Sequence, residues 1–121
     1  MTKKILIADD EQNIVISVEF LMKREGYAVS VAADGDEALA RIREEMPDLV
    51  LLDVMMPKKN GFEVCQEVRA DAALAGVRIL MLTARGRDTE VAKGLAIGAD
   101  AYMTKPFSTR DLVDKVRELL G

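Results

Sequence analysis

Apolar positions in this chain fall into two patterns that take turns along its length. Four short, mainly apolar runs, Ile5-Leu6-Ile7-Ala8, Leu49-Val50-Leu51-Leu52, Ile79-Leu80-Met81-Leu82 and Ala101-Tyr102-Met103-Thr104, have the length of strands. Runs of this kind read as strands of a buried parallel sheet. Ala28 to Ala32 adds a further short strand. Between them the apolar residues recur every three or four positions, the helical period. The segment from Glu11 to Glu25 places Ile14, Val18, Leu21 and Met22 on one face, and Gly26 stops it. Asp34-Gly35 opens a second helix carrying Ala38, Leu39 and Ile42, ended by Pro47. Gly61 to Ala70 is a third, with Phe62, Cys65 and Val68 inward. A fourth runs from about Asp88 to Ile97 and breaks at Gly98; a fifth opens on Ser108-Thr109-Arg110-Asp111, a plausible capping box, and runs to Leu120.

Strand and helix thus alternate five times. That order predicts an α/β domain with a doubly wound parallel sheet, right-handed crossovers and helices on both faces. The economical strand order is 2-1-3-4-5, which sets strands 1 and 3 side by side where the winding reverses. Ligands of such sheets bind outside the carboxyl ends of the strands. The first strand ends at Asp9-Asp10, the third at Asp53, the fourth at Thr83 and the fifth at Lys105, before Pro106. Three carboxylates, a hydroxyl and an ammonium are therefore expected on one edge.

An acidic pair by itself often does no more than cap a helix, and a lone lysine is usually a surface charge. Together these residues have a sharper chemistry. Crowded carboxylates repel one another and call for a cation; hard oxygen donors suit Mg²⁺, which favours a few carboxylates plus a phosphate. Asp53 is the natural nucleophile, since carboxylates form acyl phosphates. Lys105 supplies fixed positive charge to phosphoryl oxygens, and Thr83 a hydroxyl donor.

Composition narrows the setting. At 121 residues the chain is expected to be one domain with a single core. Its 50% hydrophobic and 31% charged content is that of a globular protein, not a disordered one. A net charge of -4 argues against direct binding of nucleic acid, and no apolar stretch approaches the roughly 20 residues of a membrane span. The start, Met-Thr-Lys-Lys before a brief apolar run, does not read as a signal peptide. One cysteine, Cys65, allows no internal disulfide, so a cytoplasmic location is expected, with Cys65 a small core residue. The absence of histidine excludes a phosphohistidine or a histidine-based site within this chain.

The chain resembles the receiver domain of two-component response regulators over essentially its whole length. The matching pieces are Ile7-Ala8-Asp9-Asp10-Glu11, Leu52-Asp53-Val54-Met55-Met56-Pro57, Asn60-Gly61, Leu82-Thr83-Ala84 and Gly98 through Phe107. The resemblance implies a flavodoxin-like (βα)5 fold, with 1–121 as a single receiver domain and no output domain in this chain. It implies Asp53 as phosphoacceptor, with Lys105 and Thr83 assisting. It assigns Mg²⁺, with Mn²⁺ as an alternative, to Asp9, Asp10, Asp53 and the backbone carbonyl of Met55. Thr83 and Tyr102 are its switch pair, and the Lys105-Pro106 bond is expected to be cis. The phosphoryl group then comes from a sensor histidine kinase, a histidine phosphotransfer protein or a small acyl phosphate. The readout face is formed by the fourth helix, fifth strand and fifth helix, for an effector the sequence does not name.

Two features depart from familiar members. Met55 and Arg85, positions that tune phosphoryl lifetime in the family, offer no group to orient an attacking water, so slow self-dephosphorylation is expected. Lys93, Asp100, Asp111 and Lys115 fit a dimer-forming charge pattern, but Ala96 and Ala101 interrupt it. A monomer or a weak phosphorylation-dependent dimer is expected. Rival readings fit less well. An aspartyl-nucleophile phosphatase needs a second Asp where Met55 stands, and in a flavin module Asp9-Asp10-Glu11 would repel the phosphate.

Overall fold

In the computed structural model, which describes residues 2–84 and 97–121, the apolar runs form a five-stranded parallel sheet of order β2-β1-β3-β4-β5. The strands are β1 (Lys4–Ala8), β2 (Ala28–Ala32), β3 (Leu49–Asp53), β4 (Arg78–Ala84) and β5 (Ala101–Lys105). The described helices are α1 (Gln12–Arg24), α2 (Gly35–Glu45), α3 (Gly61–Ala70) and α4 (Thr109–Leu120), with a 3-10 turn at Ala72–Leu74. The predicted fourth helix, Arg85, Lys93 and Ala96 lie outside the described residues, Ile97 excepted.

Side chains of a strand alternate between faces, and the core divides accordingly. Leu6, Ala8, Val50, Leu52, Ile79 and Met81 face one way, onto Ala38, Leu39 and Ile42 of α2 and Val64, Cys65 and Val68 of α3. Ile5, Ile7, Leu49, Leu51, Leu80 and Leu82 face the other way, onto Val18, Leu21 and Met22 of α1 and Leu112 and Val116 of α4. β3 lies in the middle of the sheet and is buried throughout, whereas β5 at one edge is only intermittently covered. An edge strand packs fewer neighbours, which is why the run containing Tyr102 is less buried than its apolar content implies.

Local chemistry sets the helix ends. Gly26 has φ +94°, a conformation that favours glycine, and it stops α1 as expected. α2 ends at Met46, which is left-handed with φ 50°, one residue before Pro47. A reciprocal capping box opens α3: Asn60 Oδ1 accepts from Glu63 N–H (2.9 Å) and Glu63 Oε1 accepts from Asn60 N–H (3.2 Å). At α4, Ser108 Oγ accepts from Asp111 N–H at 3.0 Å. Gly61 is required by space: a Cβ there would lie 2.3 Å from the carbonyl oxygen of Asp53. The start of α3 thus presses against the end of β3.

At the amino edge of the sheet Arg69 acts as a clasp. Its Nε donates to Gly98 O (2.7 Å), its Nη1 to Val77 O (2.8 Å) and its Nη2 to Asp100 Oδ2 (2.7 Å). Asp100 Oδ2 also accepts from Ile79 N–H at 2.7 Å. Asp100 is therefore engaged within its own chain.

Candidate functional site

The register brings the site together. Ala8 pairs with Leu52, so the residues that follow, Asp9 and Asp53, meet where β1 and β3 adjoin. One carboxylate oxygen from each of Asp9, Asp10 and Asp53 lies within 4.8 Å of the others. Asp9 and Asp53 are buried, at 1% and 5% exposure, and Asp10 is exposed.

Lys105 reaches in from the end of β5, and the Lys105-Pro106 bond that follows it is cis, as expected. Its Nζ donates to Asp9 Oδ2 (2.9 Å) and Glu11 Oε1 (3.1 Å) and stands 3.5 Å from Asp53 Oδ1. Asp53 Oδ1 also accepts from Met55 N–H at 3.4 Å. Asp9 is held from the other side, because its Oδ1 accepts from Glu11 N–H at 2.9 Å. Thr83 follows Leu82, the ladder partner of Asp53; it is buried, and its Oγ1 donates to Met103 O over a long 3.5 Å.

Burial, and next the negative charge of Asp9, push the Asp53 carboxyl up from 3.8 to about 7, against the opposing pull of Lys105 and Met55 N–H. Burial pulls the Lys105 ammonium down. Its bond to Asp9, the charge of Asp53 and its bond to Glu11 outweigh that, and the net direction is upward. Asp9, Glu11 and Asp53 face one ammonium and Asp10 stands beside Asp9 and Asp53, so the ionised site carries excess negative charge in a partly dry crevice. All-oxygen donors with unbalanced charge are what a hard divalent cation requires, and these residues fit one.

The structure thus gathers Asp9, Asp10, Asp53 and Lys105, with Thr83 at the same edge. It does not bring in Tyr102, which is 44% exposed on the edge strand, or the Met55 side chain, 59% exposed. Sequence reasoning missed the role of Glu11, which meets Lys105 across 94 positions. No local pattern signals that contact.

Comparison with known proteins agrees with this geometry. A family model described as the response regulator receiver domain matches residues 5–117. The chain is 47% identical over 120 residues to the alkaline phosphatase synthesis transcriptional regulatory protein PhoP of Bacillus subtilis, covering 99% of this chain and 49% of that protein. It therefore spans about half the length of that curated relative. Among solved structures, the chemotaxis response regulator CheY4 of Vibrio cholerae superposes with a TM-score of 0.93 at 34% identity, over 99% of this chain and 100% of that one. A CheY-like receiver domain protein from Methanospirillum hungatei gives 0.91 at 36% identity, over 99% and 94%. With a family match across nearly all of the sheet and its helices, this chain belongs to the response regulator receiver domain family.

Proposed function

We propose that this domain is a phosphorylation-dependent switch of a two-component system, with Asp53 accepting a phosphoryl group from a sensor histidine kinase or histidine phosphotransfer protein. One observation carries the reading: a buried carboxylate, Asp53, shares a crevice with Asp9 and Asp10 and has the Lys105 ammonium 3.5 Å away. Asp9, Asp10, Asp53 and the carbonyl of Met55 are the residues that would hold Mg²⁺, or Mn²⁺ in its place. When bound, the cation supplies positive charge against the carboxylates and the incoming phosphoryl oxygens.

The ionised Asp53 carboxylate attacks phosphorus. The phosphorus–nitrogen bond to the donor imidazole breaks, and the electron pair leaves with the imidazole. Lys105 steadies the phosphoryl oxygens as charge spreads over them. Asp53 gains about 1.5 to 2 negative charges and new acceptor oxygens. Thr83, whose bond to Met103 O is weak, turns its hydroxyl to one of those oxygens. Tyr102, exposed on β5, then follows and reshapes the face built from β5, α4 and the predicted fourth helix, where the effector binds. The domain, 1–121 as one unit, catalyses only its own phosphorylation and dephosphorylation. Met55 and Arg85 make the latter slow.

A protein donor fits the surface beside the site. Ile16 and Phe20, one turn apart on α1, are 64% and 68% exposed, an apolar pair available to a partner. No described helix is long and apolar enough to cross a membrane. We place the domain in the cytoplasm, as a monomer or a weak phosphorylation-dependent dimer. Asp100, tied to Arg69 and Ile79, has little freedom to join an intermolecular charge ladder.

The test is the intact mass after incubation with a small acyl phosphate, with and without Mg²⁺, beside Asp53→Ala. A Mg²⁺-dependent gain of one phosphoryl group, absent from the variant, is expected. A gain that survives in the variant overturns Asp53 as acceptor.

A further inference from the structure

Glu11 has no part in the chemistry above, yet it touches the site twice. Its N–H donates to Asp9 Oδ1 (2.9 Å), and its Oε1 accepts from Lys105 Nζ (3.1 Å). Its side chain is 58% exposed, whereas that of Lys105 is 14% exposed. An ammonium has three N–H donors. Here they face three carboxylates: Asp9 at 2.9 Å, Asp53 at 3.5 Å and Glu11 at 3.1 Å. Asp9 and Asp53 belong to the trio that suits a cation; Glu11 does not.

A cation and an ammonium compete for the oxygens of Asp9 and Asp53. If the ammonium is turned off both carboxylates, it must find another partner or lose much of its electrostatic stabilisation in a partly buried place. Glu11 offers that partner without a long movement, since it is already in hydrogen-bond contact and lies at the wet rim. We propose that Glu11 is the seat to which Lys105 withdraws when a divalent cation takes Asp9 and Asp53. Glu11 is then a positioning residue. It releases the carboxylates for the cation while keeping the ammonium beside Asp53, where the phosphoryl oxygens will arrive. The inference rests on the proposed function and deepens it.

Without Glu11 the ammonium has only Asp9 and Asp53 to bind, and it contests them harder. Cation affinity falls about threefold to fivefold, the scale an exposed ion pair supplies. A plain alternative is that Glu11 attracts cations simply by being negative. The two differ in whether Lys105 is needed.

The experiment is calorimetric titration with Mg²⁺ alone of the wild type, Glu11→Gln, Lys105→Met and the double variant. The Glu11 side chain makes no capping bond to α1, so Glu11→Gln leaves the helix start intact. Lys105→Ala stands in if Lys105→Met does not fold. Expected is a threefold to fivefold weaker Kd for Glu11→Gln, tighter binding for Lys105→Met, and no further change when Glu11→Gln is added to Lys105→Met. An equal loss in both backgrounds makes Glu11 a general charge and overturns the proposal, as does no loss in the wild-type background. Absence of any Mg²⁺ binding by the wild type is a different failure, that of the cation site itself.

Discussion

Replacing Asp53 by Asn should make the cation-free protein more stable, not less. The native carboxyl titrates at about 7 against 3.8 for an unperturbed Asp. Between those values the folded state holds a proton that the unfolded chain has released. Stability from this group is therefore fully present below about 3.8 and is lost as pH rises, the loss being complete above about 7. The interval is roughly three pH units, and at about 1.4 kcal/mol each the ionised carboxylate costs the fold about 4 kcal/mol at pH 8. Asn keeps the shape of the protonated acid and cannot ionise. The advantage of Asp53→Asn over wild type should grow from about 2 kcal/mol at pH 5 to about 4 kcal/mol at pH 8. Urea denaturation in chelator at the two pH values measures it. With a slope of about 1–3 kcal/mol per M, the midpoint at pH 8 moves up by more than about 1 M. Excess Mg²⁺ should then close part of the gap, since a ligand at 100 times its Kd adds about 2.7 kcal/mol to the protein that binds it. A variant no more stable than wild type, or an advantage that does not change with pH, would refute the reasoning.

Other outcomes follow from the same geometry. Thr83→Ala should still accept a phosphoryl group but lose the phosphorylation-dependent change in effector affinity, expected at about 5- to 150-fold in the wild type; titrating both phosphorylated proteins against the effector decides it. Gly61→Ala forces a Cβ to within 2.3 Å of Asp53 O and should cost about 1–3 kcal/mol or more in urea denaturation, with slower phosphorylation as β3 shifts. Arg69→Ala leaves Val77 O, Gly98 O and Asp100 without their guanidinium donor and should cost about 1–3 kcal/mol, with the initial rate of phosphorylation unchanged. Met55→Asn combined with Arg85→Glu should shorten the life of the aspartyl phosphate, followed as loss of mass with time; an unchanged decay removes these positions from the account.

Much of the fold could be read from local pattern, because strand and helix periods are local. The placement of the strand-end residues was equally readable, since parallel order forces Asp9, Asp53, Thr83 and Lys105 onto one edge. What escaped depends on distance along the chain. Arg69 meets Gly98 and Asp100 across 29 and 31 positions, and Lys105 meets Glu11 across 94. Such bonds exist only once packing has fixed both ends, and no period announces them. The capping box at Asn60 and Glu63 is a different case. Its residues stand at the right spacing, but the signal was read at Ser108–Asp111, where the structure shows Ser108 accepting from Asp111 N–H. α2 was expected to end at Pro47, yet the left-handed Met46 makes the turn. The prediction marked the right place for a neighbouring reason.

The Arg69 clasp gives the sheet two ends of opposite character. At the amino edge, local preferences and the global fold agree, and each hydrogen bond there reinforces the next. At the carboxyl edge they conflict: Asp53 would be better tolerated as an amide, and three acids contend for one ammonium while Asp10 adds a fourth negative charge beside them. This is frustration confined to one place. Under mutation the two ends should drift in different ways. Selection for stability alone would preserve Arg69 and erode Asp53. Holding an acidic edge against that gradient requires a use that outweighs its cost to stability.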